Sequence, residues 1–305
     1  MTLLTAQSSA PLRGIVYMVV GGALLTLNDA IIKWMTADYP VGQTLFLRGI
    51  FVFLPIVLIV RRTGGLAALR ITSWKGQGTR AGLVVFSTFM FITGLSLLPL
   101  ADAIAIAFAG PIFLTVLAVP LLGEQVGWRR WSAVSVGFLG VLIMLRPGAD
   151  GLNWYALFPL AAALAGAFRD IVTRRISSTE SSAAILLVTT SAVTLAGLAS
   201  FPFTDWQMPS LSDLGLFAVT GIVLGGAHYL MIDTFRYAEA GLVAPFKYST
   251  MIWAVLFGFA IWGDIPDRWI FAGSALVIGS GLYILHRETR VGGRGQNELW
   301  KGGAP

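Results

Sequence analysis

Ionisable side chains are few in this sequence, and several stand inside long apolar stretches. Asp29 and Asp170 are each followed four positions later by a base, Lys33 and Arg174 respectively. Residues four apart lie on one helix face, one turn apart, so each aspartate is predicted to pair with its base. Such a pair either reduces the cost of burying two charges or serves as a gate beside a cavity. The sequence leaves both roles open.

Two further basic residues suggest contact with a polar solute. Arg169 precedes Asp170, so it is expected on another helix face, deep enough to bind a carboxylate. Lys247 has no acid in its own apolar stretch. Because a buried unpaired ammonium is costly, we expect an acid from another helix or an anionic substrate to meet it. Arg48 is interpreted instead as a structural or interfacial residue.

Proton coupling is a possible role for the titratable groups inside apolar stretches. His228 titrates near neutral pH in water, and the sequence has only two histidines. The alternative is a histidine that is hydrogen-bonded across helices. The candidate coupling residues are Asp29, Asp170, His228 and Asp233.

Aromatic and polar residues in the same stretches complete a candidate binding cavity. An apolar pocket with a few polar groups would suit a zwitterionic amino acid with a large side chain. Core packing is the alternative for any single aromatic ring. The candidate substrate-binding or cavity residues are Asn28, Asp29, Phe86, Phe108, Arg169, Asp170, His228, Tyr229, Lys247, Tyr248 and Trp253.

The sequence lacks the residues and motifs that several classes of metal protein and enzyme require. The 305 residues include no cysteine and only two histidines, so we expect no disulfide, no metal site and no cofactor. The sequence shows no serine-nucleophile motif and no phosphate-binding glycine loop. An enzyme is therefore not expected. Any pumping would depend on a gradient rather than on ATP.

The candidate residues must be positioned by membrane-spanning helices. Apolar residues make up 56% of the chain and charged residues 12%, which excludes an ordinary soluble domain. About 20 helical residues cross a bilayer. No cleavage site follows the first apolar stretch, so it is expected to remain as a helix. The predicted spans are 12–35, 43–60, 81–99, 101–122, 130–146, 152–175, 183–202, 211–234, 241–262 and 269–286.

The distribution of Lys and Arg predicts the orientation of these ten spans. Fifteen basic residues fall on the side of the N-terminus, and two fall on the other side. Positive residues near span ends stay in the cytoplasm. Both termini are therefore predicted to be cytoplasmic, in a multi-pass protein of the bacterial inner membrane. The tail at 288–305 is glycine-rich and is predicted to be disordered.

The two halves of the chain repeat one another at an offset of about 140 residues. The segment that begins at Asn28 parallels the segment that begins at Arg169, and Gly123 parallels Gly263. Five spans per half is an odd number, so the second half must enter the membrane from the opposite side. Inverted repeats are typical of transporters that work by alternating access. The predicted repeats are 12–146 and 152–287.

These features together resemble a known family. In three features the chain is similar to the drug/metabolite transporter superfamily, specifically its EamA-like ten-helix members. These features are the arginine of span two (Arg48), the Gly123-Glu124 element after span four, and the glycine-rich span five that ends at Arg146. The resemblance covers about residues 12–288. It implies an all-α polytopic fold of two inverted five-helix repeats, and it comes closest to the bacterial aromatic amino acid exporter type.

The predicted function is an inner-membrane metabolite transporter that works by alternating access. Export of amino acids, aromatic or large and hydrophobic, is the main expectation. The alternative is a transporter of another metabolite: a nucleoside, a cofactor or vitamin, or an organic cation or drug. The expected partners are a small-molecule substrate and the lipid bilayer, with no nucleic acid. The sequence leaves the oligomeric state open.

Overall fold

The fold is a bundle of helices. It comes from a computed structural model that describes residues 4–62, 65, 69–123, 127–145, 153–176, 179–237 and 244–283. Within these residues the chain forms helices and turns, with no strand. The helices are α1 Leu4–Met35, α2 Val41–Arg62, α3 Trp74–Leu97, α4 Leu100–Ala107, α5 Gly110–Leu122, α6 Trp128–Leu145, α7 Leu157–Ile176, α8 Ser182–Ala199, α9 Leu211–Tyr237, α10 Ser249–Trp262 and α11 268–283.

The helices confirm a polytopic membrane protein. In the part of the chain that the structure describes, seven helical segments are long and apolar enough to cross a membrane, and two shorter apolar segments cover Trp131–Leu145 and Phe246–Trp262. Large apolar side chains face outward on several helices. Leu195 and Ile252, for example, are each 62% exposed. A continuous apolar outer surface is stable in lipid rather than in water.

Three of the predicted spans differ from the observed helices. α3 begins at Trp74 rather than at 81, because the hydroxyl of Ser73 accepts a hydrogen bond from the backbone of Gly76 and caps the helix. Span four is interrupted between α4 and α5, just before Pro111, which has no N–H for a helical hydrogen bond. Span nine begins as a 3₁₀ segment, Ala244–Tyr248, before α10.

The inverted repeat is visible in how the helices pack. The largest helix contacts join α1 to α9 and α3 to α7, and the offset of about 140 residues converts one pair into the other. Likewise, the contact of α5 with α7 matches that of α10 with α1. Gly123 and Gly263 end α5 and α10 with left-handed φ angles of 69° and 74°. Glycine adopts this conformation without steric cost, which explains why both halves keep it.

α6 and α11 cross at a pair of glycines. A Cβ atom on Gly140 would lie 2.7 Å from the carbonyl oxygen of Gly273, and one on Gly273 would lie 2.5 Å from the carbonyl oxygen of Gly140. Small residues at such crossings let two membrane helices approach closely. A continuous apolar core joins α6 and α11 to α3, α4, α5 and α10.

At one end of the bundle, called the basic end, lie residues 69–73 and 179–181 together with Gly123 and Gly127. The opposite end carries the turns at 36–40, 98–99 and 200–210.

Candidate functional site

A cavity of about 880 Å³ lies inside the bundle. Its walls come from α1, α2, α3, α4, α5, α7, α8 and α9, from the 3₁₀ segment before α10, and from Thr250 of α10 and Gly281 of α11, so both halves of the chain contribute. This volume is within the range of small-molecule sites, about 300–1,000 Å³. The cavity is therefore the candidate substrate site.

Most of the predicted cavity residues line this space. The walls are lined by polar, charged and aromatic side chains from both repeats, among them Asn28, Asp29, Phe108, Arg169, Asp170, His228, Lys247 and Tyr248. The structure thus brings together residues that are up to about two hundred positions apart. The side chain of Asp233 is outside the described part of the structure.

Three predicted cavity residues lie elsewhere. Phe86 is 50% exposed and Tyr229 is 39% exposed, and neither lines the cavity. Phe86 follows the cavity residue Val84 by two positions, which is about half a helical turn and so faces away. Trp253 stacks on Phe257, with ring centroids 6.1 Å apart, and is also absent from the walls. The structure does not place these three residues on the cavity walls, because the sequence of a uniformly apolar helix does not indicate which face is inward.

Each aspartate of the repeated segment is held by the residue before it. Asn28 donates a hydrogen bond from Nδ2 to Oδ1 of Asp29 at 3.0 Å. Arg169 donates from Nε to Oδ1 of Asp170 at 2.9 Å, and its Nη2 is 2.8 Å from the same oxygen. The expectation that Arg169 points away from Asp170 was therefore wrong. The two units are counterparts in the two repeats and face one cavity.

The predicted pair of Asp29 with Lys33 does not form. The ammonium of Lys33 donates instead to the backbone oxygens of Leu95 at 3.0 Å and Leu98 at 2.6 Å, and it lies 5.4 Å from the ring centroid of Trp262. The last carbonyls of a helix lack helical partners, so a cation at the end of α3 satisfies them. The side chain of Arg174 is outside the described residues, so its predicted pair with Asp170 stays a prediction.

Two arginines contribute to the cavity in ways that the sequence did not indicate. Arg80 falls within α3 rather than in the preceding loop, and it donates to the hydroxyl of Thr173 at 2.8 Å and to that of Thr189. Arg48, interpreted as structural or interfacial, is buried and lines the cavity. It also interacts electrostatically with Asp29. Arg80 was assigned to a loop because the sequence does not show that α3 begins before it.

Hydroxyl groups form much of the remaining polar wall. The lining includes threonines from six different elements, which are Thr26, Thr88, Thr115, Thr173, Thr189, Thr190, Thr194 and Thr250. Several of these hydroxyls also bond to backbone carbonyls one turn earlier in their own helices. A signal for this wall was present in α8, where threonines at spacings of four and five interrupt an apolar stretch.

The rings of Phe108 and Tyr248 are in contact at the points where the α-helices of spans four and nine are interrupted. The centroids of Phe108 and Tyr248 are 5.2 Å apart, with a tilt of 50° between the ring planes. Phe108 lies between α4 and α5, and Tyr248 ends the 3₁₀ segment before α10. The two positions are counterparts at an offset of 140. The pair therefore lies close to the symmetry axis that relates the repeats.

The charges on the cavity walls are predominantly positive. The lining includes four cations, Arg48, Arg80, Arg169 and Lys247, and two acids, Asp29 and Asp170. In a poorly solvated space this excess disfavours a positively charged solute.

The opposite end of the bundle is closed by specific contacts. Tyr39 donates to Asp213 at 2.8 Å, and this acceptor raises the pKa of Tyr39. Gln43 exchanges two hydrogen bonds with the backbone of Gln207, at 2.5 and 3.0 Å. With the Lys33 contact, these bonds join α1, α2 and the turn between them to the end of α3, to α9 and to the turn before α9. α1 thus contacts α3, whereas the counterpart pair, α7 and α9, has no comparable contact within the described residues.

The basic end is organised around Glu180. Its carboxylate accepts hydrogen bonds from Gln77 and from the backbone of Thr72 and Ser73, at 2.6–3.0 Å. These three bonds, with the one from Gln77 contributing most, lower the pKa of Glu180. The carboxylate stabilises the beginning of α3 and joins it to the turn between α7 and α8.

Comparison with protein families decides what this bundle is. Residues 12–146 and again 153–285 match the EamA-like transporter family, so the match recurs once in each half. The chain belongs to this family. A solved crystal structure covers 92% of the chain and 99% of its own length, with a TM-score of 0.62 and 20% sequence identity, which shows a shared fold.

Curated relatives of this EamA-like transporter carry cofactors and other metabolites. A riboflavin transporter of Rhizobium johnstonii is 30% identical over 95% of this chain and 96% of its own length. An S-adenosylmethionine uptake transporter of Rickettsia prowazekii is 27% identical over 92% and 94%. A pseudopaline exporter of Pseudomonas aeruginosa is 24% identical over 87% and 93%.

These relatives confirm a membrane transporter rather than an enzyme. They do not support the aromatic amino acid exporter type, and they favour the alternative of another metabolite. The motifs that carried the resemblance are shared across the superfamily, so they identify the fold and not the solute.

Proposed function

We propose that this EamA-like transporter carries a metabolite with a flat heteroaromatic ring system, and that riboflavin is the representative solute. The observation that carries the proposal is the ring pair of Phe108 and Tyr248, which faces an 880 Å³ cavity. Flat aromatic solutes stack on such rings with a gain of about 0.5–1.5 kcal/mol beyond area burial. The riboflavin transporter of Rhizobium johnstonii, 30% identical, supports the same solute class.

The polar walls also suit a solute of this kind. Threonine hydroxyls both donate and accept hydrogen bonds, so they match a polyhydroxylated chain attached to a ring. The four cations and two acids on the walls disfavour S-adenosylmethionine, whose sulfonium is positively charged. A neutral heteroaromatic solute does not meet this repulsion. The cavity charge therefore favours riboflavin over the other cofactor that the relatives carry.

Alternating access between the two repeats is the proposed transport mechanism. The repeats are proposed to comprise 12–146 and 152–287, with the candidate site between them. The contacts at the opposite end, including Lys33 with Leu98, hold the state in which that end is closed. Release of these contacts and closure of the basic end would expose the cavity to the other side.

The proposed location is the bacterial inner membrane, with both termini in the cytoplasm. This orientation is supported by the excess of Lys and Arg in the turns of the basic end. It places the closed opposite end on the outer side of that membrane. Coupling to protons through Asp29, Asp170, His228 or Asp233 stays a prediction.

Competition in proteoliposomes tests the proposed solute class. Vesicles preloaded with riboflavin take up labelled riboflavin while unlabelled riboflavin, S-adenosylmethionine or tryptophan competes outside. We expect riboflavin to compete at concentrations at least about tenfold lower than the other two. Equal or better competition by S-adenosylmethionine or tryptophan would overturn the proposal.

Paired variants connect this result to the ring pair. Phe108→Leu removes one ring of the cavity, whereas Phe86→Leu removes a ring that is half exposed outside it. We expect Phe108→Leu to raise the riboflavin concentration for half-maximal uptake about threefold to tenfold. Phe86→Leu should leave it unchanged. The same loss in both variants would show that the ring pair has no specific role.

A further inference from the structure

Lys247 is a cavity cation that the acids of the described residues leave unpaired. Among the described residues, no hydrogen bond or ion pair within 4 Å reaches its ammonium group. Asp170 is the acid that interacts with it electrostatically, but Asp170 is already held by Arg169, whose own charge opposes Lys247. Arg80, in contrast, donates to hydroxyl groups. The cavity therefore contains one ammonium group that is available to a solute.

The position of Lys247 places this charge beside the ring pair. It lies in the 3₁₀ segment immediately before Tyr248, whose ring meets Phe108. Both residues line the cavity, and the side chain of Lys247 is exposed to that space. A solute whose ring system lies against Phe108 and Tyr248 therefore has its substituents within reach of the ammonium group.

An unpaired charge within a membrane-spanning segment is costly to maintain. Insertion of a charge at the centre of a spanning helix is unfavourable, and charges that persist there face a cavity or a partner. The described part of the cavity contains no second acid for Lys247, because Asp29 interacts with Asn28 and Arg48. A negatively charged group on the solute would supply the missing partner.

We infer that Lys247 binds an anionic group on the transported heteroaromatic solute, so that the site prefers a carboxylate or phosphate derivative to the neutral parent. The inference rests on the proposed function, since it assumes that the ring system binds at Phe108 and Tyr248. It makes Lys247 a specificity-determining residue for charge. Carboxylate and phosphate share the chemistry that a lysine recognises, and the experiment separates them.

Equilibrium binding to the purified full-length transporter in detergent tests this inference. The probes are riboflavin, riboflavin phosphate and carboxymethylflavin, which share one ring system and differ in charge, and binding is followed by quenching of flavin fluorescence. We expect at least one of the two anionic flavins to bind about tenfold more tightly than riboflavin. Which of the two gains more identifies the anion.

Variants connect the preference to Lys247. Lys247→Met should reduce the tenfold ratio to about one while riboflavin binding stays within about threefold of wild type. Lys247→Arg, which keeps the charge, should retain a preference. Lys75→Met is the matched control, because Lys75 is exposed at the beginning of α3 and is not among the cavity-lining residues. It should leave the ratio unchanged.

The outcomes distinguish this inference from the proposed function. Equal binding of all three flavins to wild type, or a preference that persists in Lys247→Met, would overturn the role of Lys247 and leave the solute class intact. If no flavin binds to the folded wild-type protein, the proposed function itself fails. A loss of all flavin binding in Lys247→Met but not in Lys75→Met would show a general requirement for the residue and would also contradict a role in charge preference alone.

Discussion

The contact between Lys33 and the end of α3 should control which side of the membrane the cavity faces. Lys33 donates hydrogen bonds to two backbone oxygens, at 3.0 and 2.6 Å, and lies beside Trp262. Hydrogen bonds to charged groups contribute about 1.5–3 kcal/mol each, and partial exposure lowers this value. Lys33→Met should therefore destabilise the closed opposite end by about 2 kcal/mol. Because about 1.4 kcal/mol is a factor of ten, the equilibrium should shift about 30-fold toward opening of that end.

Labelling of a single cysteine measures this shift, since the natural chain contains none. Thr194 lines the cavity and lies five residues before the end of α8 at the opposite end, so Thr194→Cys reports access from there. A membrane-impermeant thiol reagent added to intact cells should label it about ten to thirty times faster with Lys33→Met than without, if the 2 kcal/mol shift holds. Ala37→Cys, in the exposed turn after α1, is the control and should label equally in both backgrounds.

Two results would refute this reasoning. Equal labelling rates for Thr194→Cys in both backgrounds, with Ala37→Cys labelled normally, would show that Lys33 does not hold the opposite end closed. The same acceleration caused by Lys75→Met would show a general effect of removing a lysine charge.

Three further predictions concern stability and can be checked by thermal unfolding of the purified protein in detergent. Glu180→Gln should lower the free energy of unfolding by about 1–3 kcal/mol, because the carboxylate accepts three hydrogen bonds. The pKa of Glu180 is lower in the folded chain than in the unfolded chain. This stabilisation is therefore complete above the ordinary glutamate pKa and is lost as the pH falls through the lowered value. The stability of Glu180→Gln should consequently be less sensitive to acid than that of wild type. Gly273→Val should prevent the crossing of α6 and α11 and lower the melting temperature, since even a Cβ atom at this position would lie 2.5 Å from a backbone oxygen of Gly140. An unchanged melting temperature would contradict that crossing. Tyr39→Phe should cost about 0.5–1.5 kcal/mol by removing the bond to Asp213, and no change would show that the bond is dispensable.

The sequence predicted the architecture because membrane insertion imposes simple rules. Each of the ten apolar stretches contains helix, and the offset of about 140 residues relates helices that make equivalent contacts. Gly123 and Gly263 show the repeat at the level of backbone geometry, with matching left-handed φ angles. Length, hydropathy and repeated motifs are properties of single helices or of the order of helices, so they can be read before the fold is known.

The faces of the helices could not be predicted in the same way. Phe86 and Tyr229 were expected in the cavity but face outward, because both the lipid and the core accept apolar rings. The partner of Lys33 was missed because it is a backbone carbonyl on another helix rather than the acid one turn away. The pairing of Asp170 with its immediate neighbour Arg169 depends on side-chain rotamers, which helical spacing does not specify.

Counterflow of labelled riboflavin tests the central claim most directly. Purified transporter is reconstituted into vesicles that contain unlabelled riboflavin, and the uptake of labelled riboflavin is followed against vesicles loaded with buffer. The proposed function predicts a saturable, transient accumulation that depends on the internal riboflavin and is weakened by Phe108→Leu but not by Phe86→Leu. The absence of accumulation with folded, inserted protein would contradict transport of a riboflavin-like solute.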